Sequence, residues 1–295
     1  MRITTSLPAN DSGLPAIAMA RHLEALGYDA VGMPDLLIGD GTPGFDPTLV
    51  LAAVAATTSR IKLEFGVLTL PLRPTAWIAA QIQTLQHLSG DRVVLGVGIG
   101  GFPGSPFWRA AGGAQQGERG RRADAALELL PRLIGGEPAE VIPGEELVLA
   151  PAATVPPILI GGNSEAAMRR AVLYGDGWAP SLITPEALTG KAARLREIAD
   201  ELGRPVPSIS VGGHAFLAGD TAAALESFVR SLVDMHRMSP EEAAGVPVTG
   251  SPAQVAERLA AYAAAGADAV GLGLDGGDWA RQAELLAEAA SKSAA

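Results

Sequence analysis

The sequence contains no cysteine among its 295 residues. Disulfides, thiolate nucleophiles, zinc–thiolate sites and cysteine-ligated clusters are therefore excluded. Aromatic residues are also scarce, at 4% of the chain, whereas hydrophobic residues make up 48%. The core must therefore be built from small and branched aliphatic side chains. The length allows one large barrel or two ordinary domains.

Positive charge is also in deficit, because 22 lysine and arginine residues face 32 acidic ones and the formal net charge is −10. Nucleic acids and anionic membranes attract proteins through a basic face, so neither is expected as a partner. The N-terminus has no long hydrophobic segment, and no run of 18 or more apolar residues occurs. These absences favour a soluble, cytoplasmic protein.

Apolar residues recur with periods of two and of about 3.6 in turn, which indicates strands alternating with helices. The eight predicted strands are 2–7, 29–33, 62–70, 92–98, 157–160, 177–181, 208–217 and 268–274. The predicted helices are 13–26, 47–59, 73–88, 117–133, 165–173, 185–202, 221–238, 251–265 and 280 to the end. Every strand is thus followed by a helix.

This alternation implies parallel strands joined by right-handed crossovers. Eight such units over this length fit an α/β fold of the (β/α)8 TIM-barrel type better than a doubly wound sheet. Insertions are expected in the loop after strand four, at 101–116, and in the loop before strand five, at 135–156. No low-complexity linker divides the chain, so a single domain over 1–295 is predicted.

The segment Gly96-Val97-Gly98-Ile99-Gly100-Gly101 matches the dinucleotide-binding pattern GxGxxG. That fingerprint also needs a helix directly after it and an acidic residue about 20 positions further on. Here the next residues are Phe-Pro-Gly-Ser-Pro, which cannot open a helix directly. We interpret the segment as a fourth strand whose C-terminal end, at Gly98, lacks side chains and leaves flat space for a planar group.

The segment 157–164 runs from an apolar strand through Gly161-Gly162-Asn163-Ser164 into a helix that begins at Glu165. Glycine lets a ligand approach the backbone closely, and free N–H groups of a first helical turn attract anions such as phosphate. Ser164 can cap the helix or offer its hydroxyl to the same ligand. The alternative is an ordinary tight connection in which glycine only solves a steric problem.

Histidines and carboxylates show no metal-ligand spacing, and no Gly-x-Ser-x-Gly elbow occurs, so no metal site is predicted. Three of the four histidines, His22, His87 and His236, fall inside predicted helices, where packing or surface roles are favoured. His214 lies in strand seven, near the barrel mouth, and is a candidate catalytic residue. Asp35, at the end of strand two, also faces the mouth and is the second candidate. Its alternative roles are a loop cap or a salt-bridge partner.

Four segments, in the right order and spacing, resemble the bacterial-luciferase-like oxidoreductases, a superfamily that binds FMN or the deazaflavin coenzyme F420. They span the chain from about residue 1 to residue 275, and they are 27–35, 46–67, 81–98 and 157–178. The resemblance implies a TIM barrel with a flavin-type cofactor at its mouth.

In this family the cofactor phosphate would bind at Gly161, Gly162, Asn163 and Ser164. The resemblance places a bulge of strand three, Gly66-Val67-Leu68, behind the ring, often with a non-proline cis peptide. Strand six, Trp178-Ala179-Pro180, would line the far side of the cofactor. Core packing is the alternative for Trp178.

Two positions depart from the sugar-phosphate dehydrogenases of the F420 branch. Those enzymes have a histidine directly after the strand-two acid, where this chain has Leu36. They also have an acidic residue where this chain has Gly101, so glucose-6-phosphate oxidation is not expected. The loops of the mouth are apolar instead, which suggests an apolar organic substrate. Their apolar residues are Leu36, Leu37, Phe45, Phe102, Phe107 and Trp108.

The leading prediction from the resemblance is F420-dependent hydride transfer to or from a small apolar organic substrate. The acidic composition rich in alanine and glycine, and the Gly66-Val67 pair, favour F420 over FMN. An FMNH2- and O2-dependent monooxygenase on the same barrel is the first alternative. A non-catalytic flavin-binding barrel is the second. The apolar content is compatible with a homodimer, a frequent assembly in this family.

Overall fold

The computed structural model describes residues 1–8 and 15–293. Within these residues, eight parallel strand positions close into a barrel surrounded by helices, which confirms the predicted (β/α)8 fold. The predicted start of the first helix, at residues 13 and 14, lies outside the described residues. So do the last two residues of the predicted terminal helix.

The elements are numbered in chain order. The strands are β1 (Arg2–Ser6), β2 (Ala30–Met33), β3 (Lys62–Phe65), β4 (Leu68–Thr69), β5 (Val93–Gly98), β6 (Ala139–Ile142), β7 (Glu145–Leu147), β8 (Ile158–Gly161), β9 (Gly177–Ala179), β10 (Ser208–Phe216), β11 (Val248–Thr249) and β12 (Ala269–Leu274). The α-helices are α1 (Ala16–Leu26), α2 (Pro47–Ala55), α3 (Thr75–Ser89), α4 (Pro106–Ala110), α5 (Arg119–Ile134), α6 (Glu165–Tyr174), α7 (Pro185–Leu202), α8 (Ala222–His236), α9 (Pro240–Gly245), α10 (Pro252–Ala264) and α11 (Trp279–Ser293).

The barrel closes in the order β1, β2, β3, β5, β8, β9, β10 and β12, with β12 pairing back to β1. The predicted third strand, 62–70, is broken into β3 and β4, and β4 continues along β5. The break falls at Gly66-Val67, whose peptide bond is cis, as the family resemblance implies.

Alternation of side chains decides what faces the core and what faces the barrel interior. Leu63 and Phe65 of β3 are 0% and 1% exposed, and they point outward into the layer between strands and helices. The inward rows carry small or polar residues toward the C-terminal ends of the strands, such as Ser6, Gly32 and Gly96. The barrel mouth is therefore poor in side chains.

Helix boundaries follow local capping chemistry. Asp46 accepts the N–H groups of Thr48 and Leu49 at the start of α2. Ser251 and Gln254 form a capping box at the start of α10, where Pro252 occupies the first helical position as predicted. Gly203 ends α7 in the left-handed conformation, with a φ of 61°.

The two predicted insertions are present, and both contain structure that the sequence pattern does not indicate. The loop after β5 contains the short helix α4, and the loop before β8 contains the antiparallel hairpin of β6 and β7. The hairpin is short and mostly exposed, so no extended apolar pattern marks it. Between β10 and α10 the structure adds α9 and β11.

One large hydrophobic core extends around the barrel, and a second, small cluster lies between α8 and α9 at Leu232, Ala243 and Val246. No helix in the described part of the chain is long and apolar enough to cross a membrane. We keep the assignment of residues 1–295 to a single domain as a proposal.

Candidate active site at the barrel mouth

The Gly161–Ser164 turn lies at the C-terminal end of β8 and leads directly into α6, as predicted. Gly162 has a φ of 125°, a backbone region that favours glycine. The Oγ of Ser164 accepts the Ala167 N–H at 3.2 Å and so caps α6. The capping role of Ser164 leaves its hydroxyl proton available to a ligand.

Backbone donors and one cation converge on this turn. Within the described residues, the N–H groups of Ser164, Glu165 and Ala166 have no protein acceptor, as is usual at a helix start. The Nζ of Lys191, from α7, lies 2.9 Å from the carbonyl oxygen of Asn163. Free N–H groups, the positive end of the helix dipole and an ammonium together make an anion site.

One acidic side chain, Glu165, lies at the first position of α6 next to this site. Its carboxylate is paired with Arg194 at 2.9 Å and with Arg169 at 3.2 Å. Hydrogen bonds from Arg194 and Arg169 lower the pKa of Glu165, so it is ionised and compensated by two cations. The charge of Glu165 therefore does not oppose an anion at the turn.

Four hydrogen bonds hold the turn to β9 and the residues after it. The Gly162 N–H donates to the Ala179 carbonyl at 3.2 Å, and the Trp178 Nε1–H donates to the Gly162 carbonyl at 2.7 Å. The side-chain amide of Asn163 bonds both backbone groups of Ser181, at 2.7 and 3.0 Å. The turn is thus fixed before any ligand binds.

The roles predicted for strand six need correction. Trp178 is 0% exposed and points outward into the core, so its indole supports the turn from behind and does not line the mouth. Pro180 is buried, and its carbonyl accepts the Gly212 N–H at 2.8 Å. Ala179 pairs in register with Gly161, shares its inward orientation and does border the mouth.

The flat space predicted beside Gly98 is filled by Val67. A Cβ atom at Gly98 would lie 2.9 Å from the Val67 side chain, and one at Gly161 would lie 3.0 Å from it. These glycines therefore make room for a valine that protrudes into the barrel. Gly66 has open space around its Cβ direction, as expected of a residue at the mouth. Leu68 is 1% exposed and packs in the core, so its predicted contact with a cofactor is wrong.

Asp35 lies just after β2, but its carboxylate is fully engaged. Arg73 donates to both of its oxygens, at 2.5 and 2.9 Å, and the Thr69 N–H donates at 3.0 Å. The Asp35 side chain is 0% exposed. A carboxylate without exposed surface is not available to a ligand. We therefore assign Asp35 to holding the loop after β2 against the loop after β4, in place of catalysis.

His214 lies at the mouth, near the C-terminal end of β10, as predicted. Its Nδ1 is 2.5 Å from Oδ2 of Asp275, the residue that follows β12. The two side chains are 38% and 41% exposed, so both reach solvent at the mouth. The ring of Phe228 packs against the imidazole with 4.6 Å between centroids. This dyad can hold and transfer a proton, because the carboxylate fixes one ring nitrogen and leaves Nε2 free for a partner.

A small pocket opens beside the Asp35–Arg73 pair, between the loops after β2, β4 and β5. Four of the apolar residues predicted for the mouth line it, namely Leu36, Leu37, Phe102 and Trp108. The Trp108 indole is 6% exposed and donates to the Ala114 carbonyl at 2.9 Å, so it forms a fixed wall. Phe45 and Phe107 do not line this pocket.

Sequence reasoning missed three residues at or below the mouth. Asp275 directly follows the last predicted strand, a position that places a side chain at the mouth, so it could have been found. Glu64 is a carboxylate inside an otherwise β-rich run, which was also a signal. Lys191 lies within a helix and carried no signal. In the described part of the chain, no group of three or more histidine, aspartate and glutamate side chains could hold a metal ion.

Comparison with known proteins adds a family to this geometry. The sequence model of the luciferase-like monooxygenase family matches residues 5–269. A relative from Mycobacterium tuberculosis, an uncharacterised protein, is 32% identical over 222 residues, which cover 65% of this chain and 73% of the relative.

Solved structures are similar in fold. An F420-dependent secondary alcohol dehydrogenase, in complex with an F420–acetone adduct, superimposes with a TM-score of 0.82 at 15% identity, covering 99% of this chain and 98% of the other. The oxygenating constituent of 3,6-diketocamphane monooxygenase from Pseudomonas putida, in complex with FMN, gives a TM-score of 0.73 at 19% identity, covering 99% and 98%.

Proposed function

The chain belongs to the luciferase-like monooxygenase family, and from this premise we propose that it is an oxidoreductase with a flavin-type cofactor at the barrel mouth. The cofactor phosphate binds at the Gly161–Ser164 turn. The leading assignment is F420, with hydride transfer to or from a small apolar organic substrate as the chemistry that this cofactor supplies when bound.

One observation carries the proposal, namely the fixed turn with unpaired N–H groups beside the Lys191 ammonium. The turn is preorganised by the Trp178 and Asn163 hydrogen bonds, so binding an anion requires no rearrangement of its backbone. Gly161 and Gly162 leave its surface bare, and a phosphate fits a donor set of this kind.

The other residues of the mouth position the substrate and handle a proton. His214, oriented by Asp275, holds a proton on Nδ1 and exchanges one at Nε2. The Asp35–Arg73 pair fixes the loop that carries Leu36 and Leu37, so that the apolar wall keeps water from an apolar substrate.

Two alternatives remain on the same barrel. An FMN-dependent monooxygenase is supported by the fold shared with the FMN complex of the Pseudomonas putida enzyme, while the F420 complex supports the leading assignment. A non-catalytic flavin-binding barrel would use the turn but not the His214–Asp275 pair.

Titration of the purified protein with F420 and with FMN, followed by fluorescence quenching, separates the cofactors. We expect micromolar or tighter binding of F420 and weaker binding of FMN. Micromolar binding of FMN with none of F420 would contradict the leading assignment and favour the monooxygenase. If the protein binds a cofactor but shows no oxidoreductase activity toward any carbonyl or alcohol tested, the non-catalytic barrel is favoured.

A further inference from the structure

Glu64 is a carboxylic acid inside the barrel, one inward position below the mouth. Its neighbours Leu63 and Phe65 point outward into the core, so its own side chain points inward. The same inward row of the chain runs from Lys62, exposed at the N-terminal end of the barrel, to Gly66, exposed at the mouth. Gly66 has no side chain, and Val67, which protrudes into the barrel next to Gly96, lies on the mouth side of this row instead.

The strands beside β3 place no charged side chain in register with Glu64. Glu64 pairs in register with Gly32 of β2 and with Val94 of β5, and neither of these carries a charge. Ser6 of β1 is next in the same register. Glu64 is partly buried.

No hydrogen bond or ion pair joins the Glu64 carboxyl to another side chain in residues 1–8 and 15–293. Two cations at the N-terminal end of the barrel, Arg2 and Lys62, act on it through space and favour its ionised form. Burial has the larger effect and raises the pKa of Glu64 to about 7. Glu64 therefore changes charge near neutral pH.

We propose that Glu64 is a proton-linked determinant of ligand binding at the barrel mouth, taking up a proton when an anionic ligand binds above it. This inference rests on the proposed function, because the anionic ligand is the phosphate-bearing cofactor. It assigns a role to a residue that neither the phosphate site nor the His214–Asp275 pair requires.

The physical reason is mutual repulsion inside a poorly solvated barrel. An ionised Glu64 and an anion at the mouth repel each other, and this repulsion is screened less than it would be in bulk water. The anion therefore raises the pKa of Glu64, and by linkage a protonated Glu64 strengthens binding of the anion. Affinity should fall as pH rises through 7, because Glu64 then becomes charged.

Measurement of the Kd for FMN and for F420 at pH 5.5 and pH 8.5 tests this directly. For the cofactor that binds, we expect the wild-type Kd to rise about tenfold between the two pH values, which corresponds to one unit of pKa change in Glu64. Glu64→Gln, which keeps shape and removes the titration, should lose this rise. His214→Asn should retain it, which separates the effect of Glu64 from that of the His214–Asp275 pair.

Lys62→Met provides a readout that a merely structural role of Glu64 would not move. Loss of this cation should raise the pKa of Glu64, so the pH midpoint of binding should shift upward. Lys292→Met, a matched loss of charge on α11, should leave the midpoint unchanged. Infrared titration of the protonated carboxyl band in the cofactor-free protein, with Glu64→Gln as the reference, should show the same upward shift.

A Kd that does not depend on pH, or a pH dependence that Glu64→Gln retains, would overturn the inference and leave the proposed function intact. Absence of binding of FMN and of F420 at both pH values would overturn the proposed function and this inference with it. An infrared midpoint near the ordinary value for glutamate would also overturn the inference.

Discussion

The two sides of the barrel mouth are built by different means. At the end of β8, backbone groups form the site, because three N–H groups at the start of α6 have no acceptor among the described residues and the preceding turn is fixed by hydrogen bonds. At the ends of β10 and β12, side chains form it, with His214 held at 2.5 Å by Asp275. The first side suits a tightly bound group such as a cofactor phosphate, and the second suits proton transfer.

Substitutions on the two sides should therefore affect different quantities. Loss of a backbone donor set should weaken cofactor binding, whereas loss of the dyad should slow turnover and leave binding intact. Each prediction below either separates these two outcomes or shows that the two sides are not distinct.

The largest expected effect is on turnover. His214→Asn should lower kcat by about 10²- to 10⁴-fold, the usual contribution of a positioned acid or base. The affinity for the cofactor should not change, because His214 does not touch the Gly161–Ser164 turn. Steady-state kinetics and cofactor titration on the same variant provide the comparison.

Asp275→Asn is the matched variant for the dyad. It should lower kcat in the same direction, and the double variant should be no slower than His214→Asn alone, because the two residues act as one unit. Strictly additive losses would show that Asp275 and His214 work independently. A weakened cofactor affinity in either variant would break the distinction between the two sides.

The sequence was informative about the backbone side because its residues are adjacent in the chain. A strand, two glycines and a capping serine followed by a helix predict the turn without any tertiary information. The dyad joins residues that are 61 positions apart, so its pairing appears only in the structure. The same holds for Asp35, whose partner Arg73 lies 38 positions away and changes its role from catalysis to positioning.

The properties of the mouth also depend on pH, because Glu64 of β3 faces the barrel interior below it. Burial raises the pKa of Glu64 from 4.5 to about 7, so the native protein holds a proton that the unfolded chain releases between these values. The free energy of unfolding should therefore decrease as pH rises from about 4.5 and level off above about 7. The full decrease is up to about 3 kcal/mol for a shift of this size.

Glu64→Gln stays neutral and should lack this decrease. It should match the wild-type protein near pH 4.5 and exceed its stability at pH 8.5, in urea unfolding followed by circular dichroism. If the free energy of unfolding depends on pH in the same way in both proteins, the raised pKa of Glu64 is contradicted.

A smaller effect tests whether the backbone side depends on support from the core. Trp178→Phe removes the donor to the Gly162 carbonyl and leaves that carbonyl unsatisfied, at a cost of about 1–3 kcal/mol. Affinity for the phosphate-bearing cofactor should fall, while kcat at saturation should be retained. Trp77→Phe, at a residue that is 68% exposed, should change neither quantity. Unchanged binding in Trp178→Phe would show that the indole is ordinary core packing.

The fold was more predictable from the sequence than the site was. Alternating periods of two and 3.6 identify the barrel because every barrel strand buries an apolar face. The hairpin of β6 and β7 escaped because it is mostly exposed, and a strand with little burial carries no such pattern. Leu68 was misassigned for a related reason. The break at Gly66-Val67 changes the alternation, and Leu68 then points into the core.

The most direct test of the central claim is the difference in binding free energy between phosphate-bearing and phosphate-free forms of the cofactor. FMN is compared with riboflavin, and F420 with its phosphate-free deazaflavin core. In the wild-type protein we expect a preference for the phosphate-bearing form of at least about tenfold, or 1.4 kcal/mol. Gly162→Asp should abolish this preference, and Lys191→Met, which leaves the turn intact, should reduce it. Gly117→Asp, at an exposed glycine with open space around it, should retain it. A folded Gly162→Asp protein with the full preference, or a wild-type protein with none, would contradict the assignment of the phosphate to this turn.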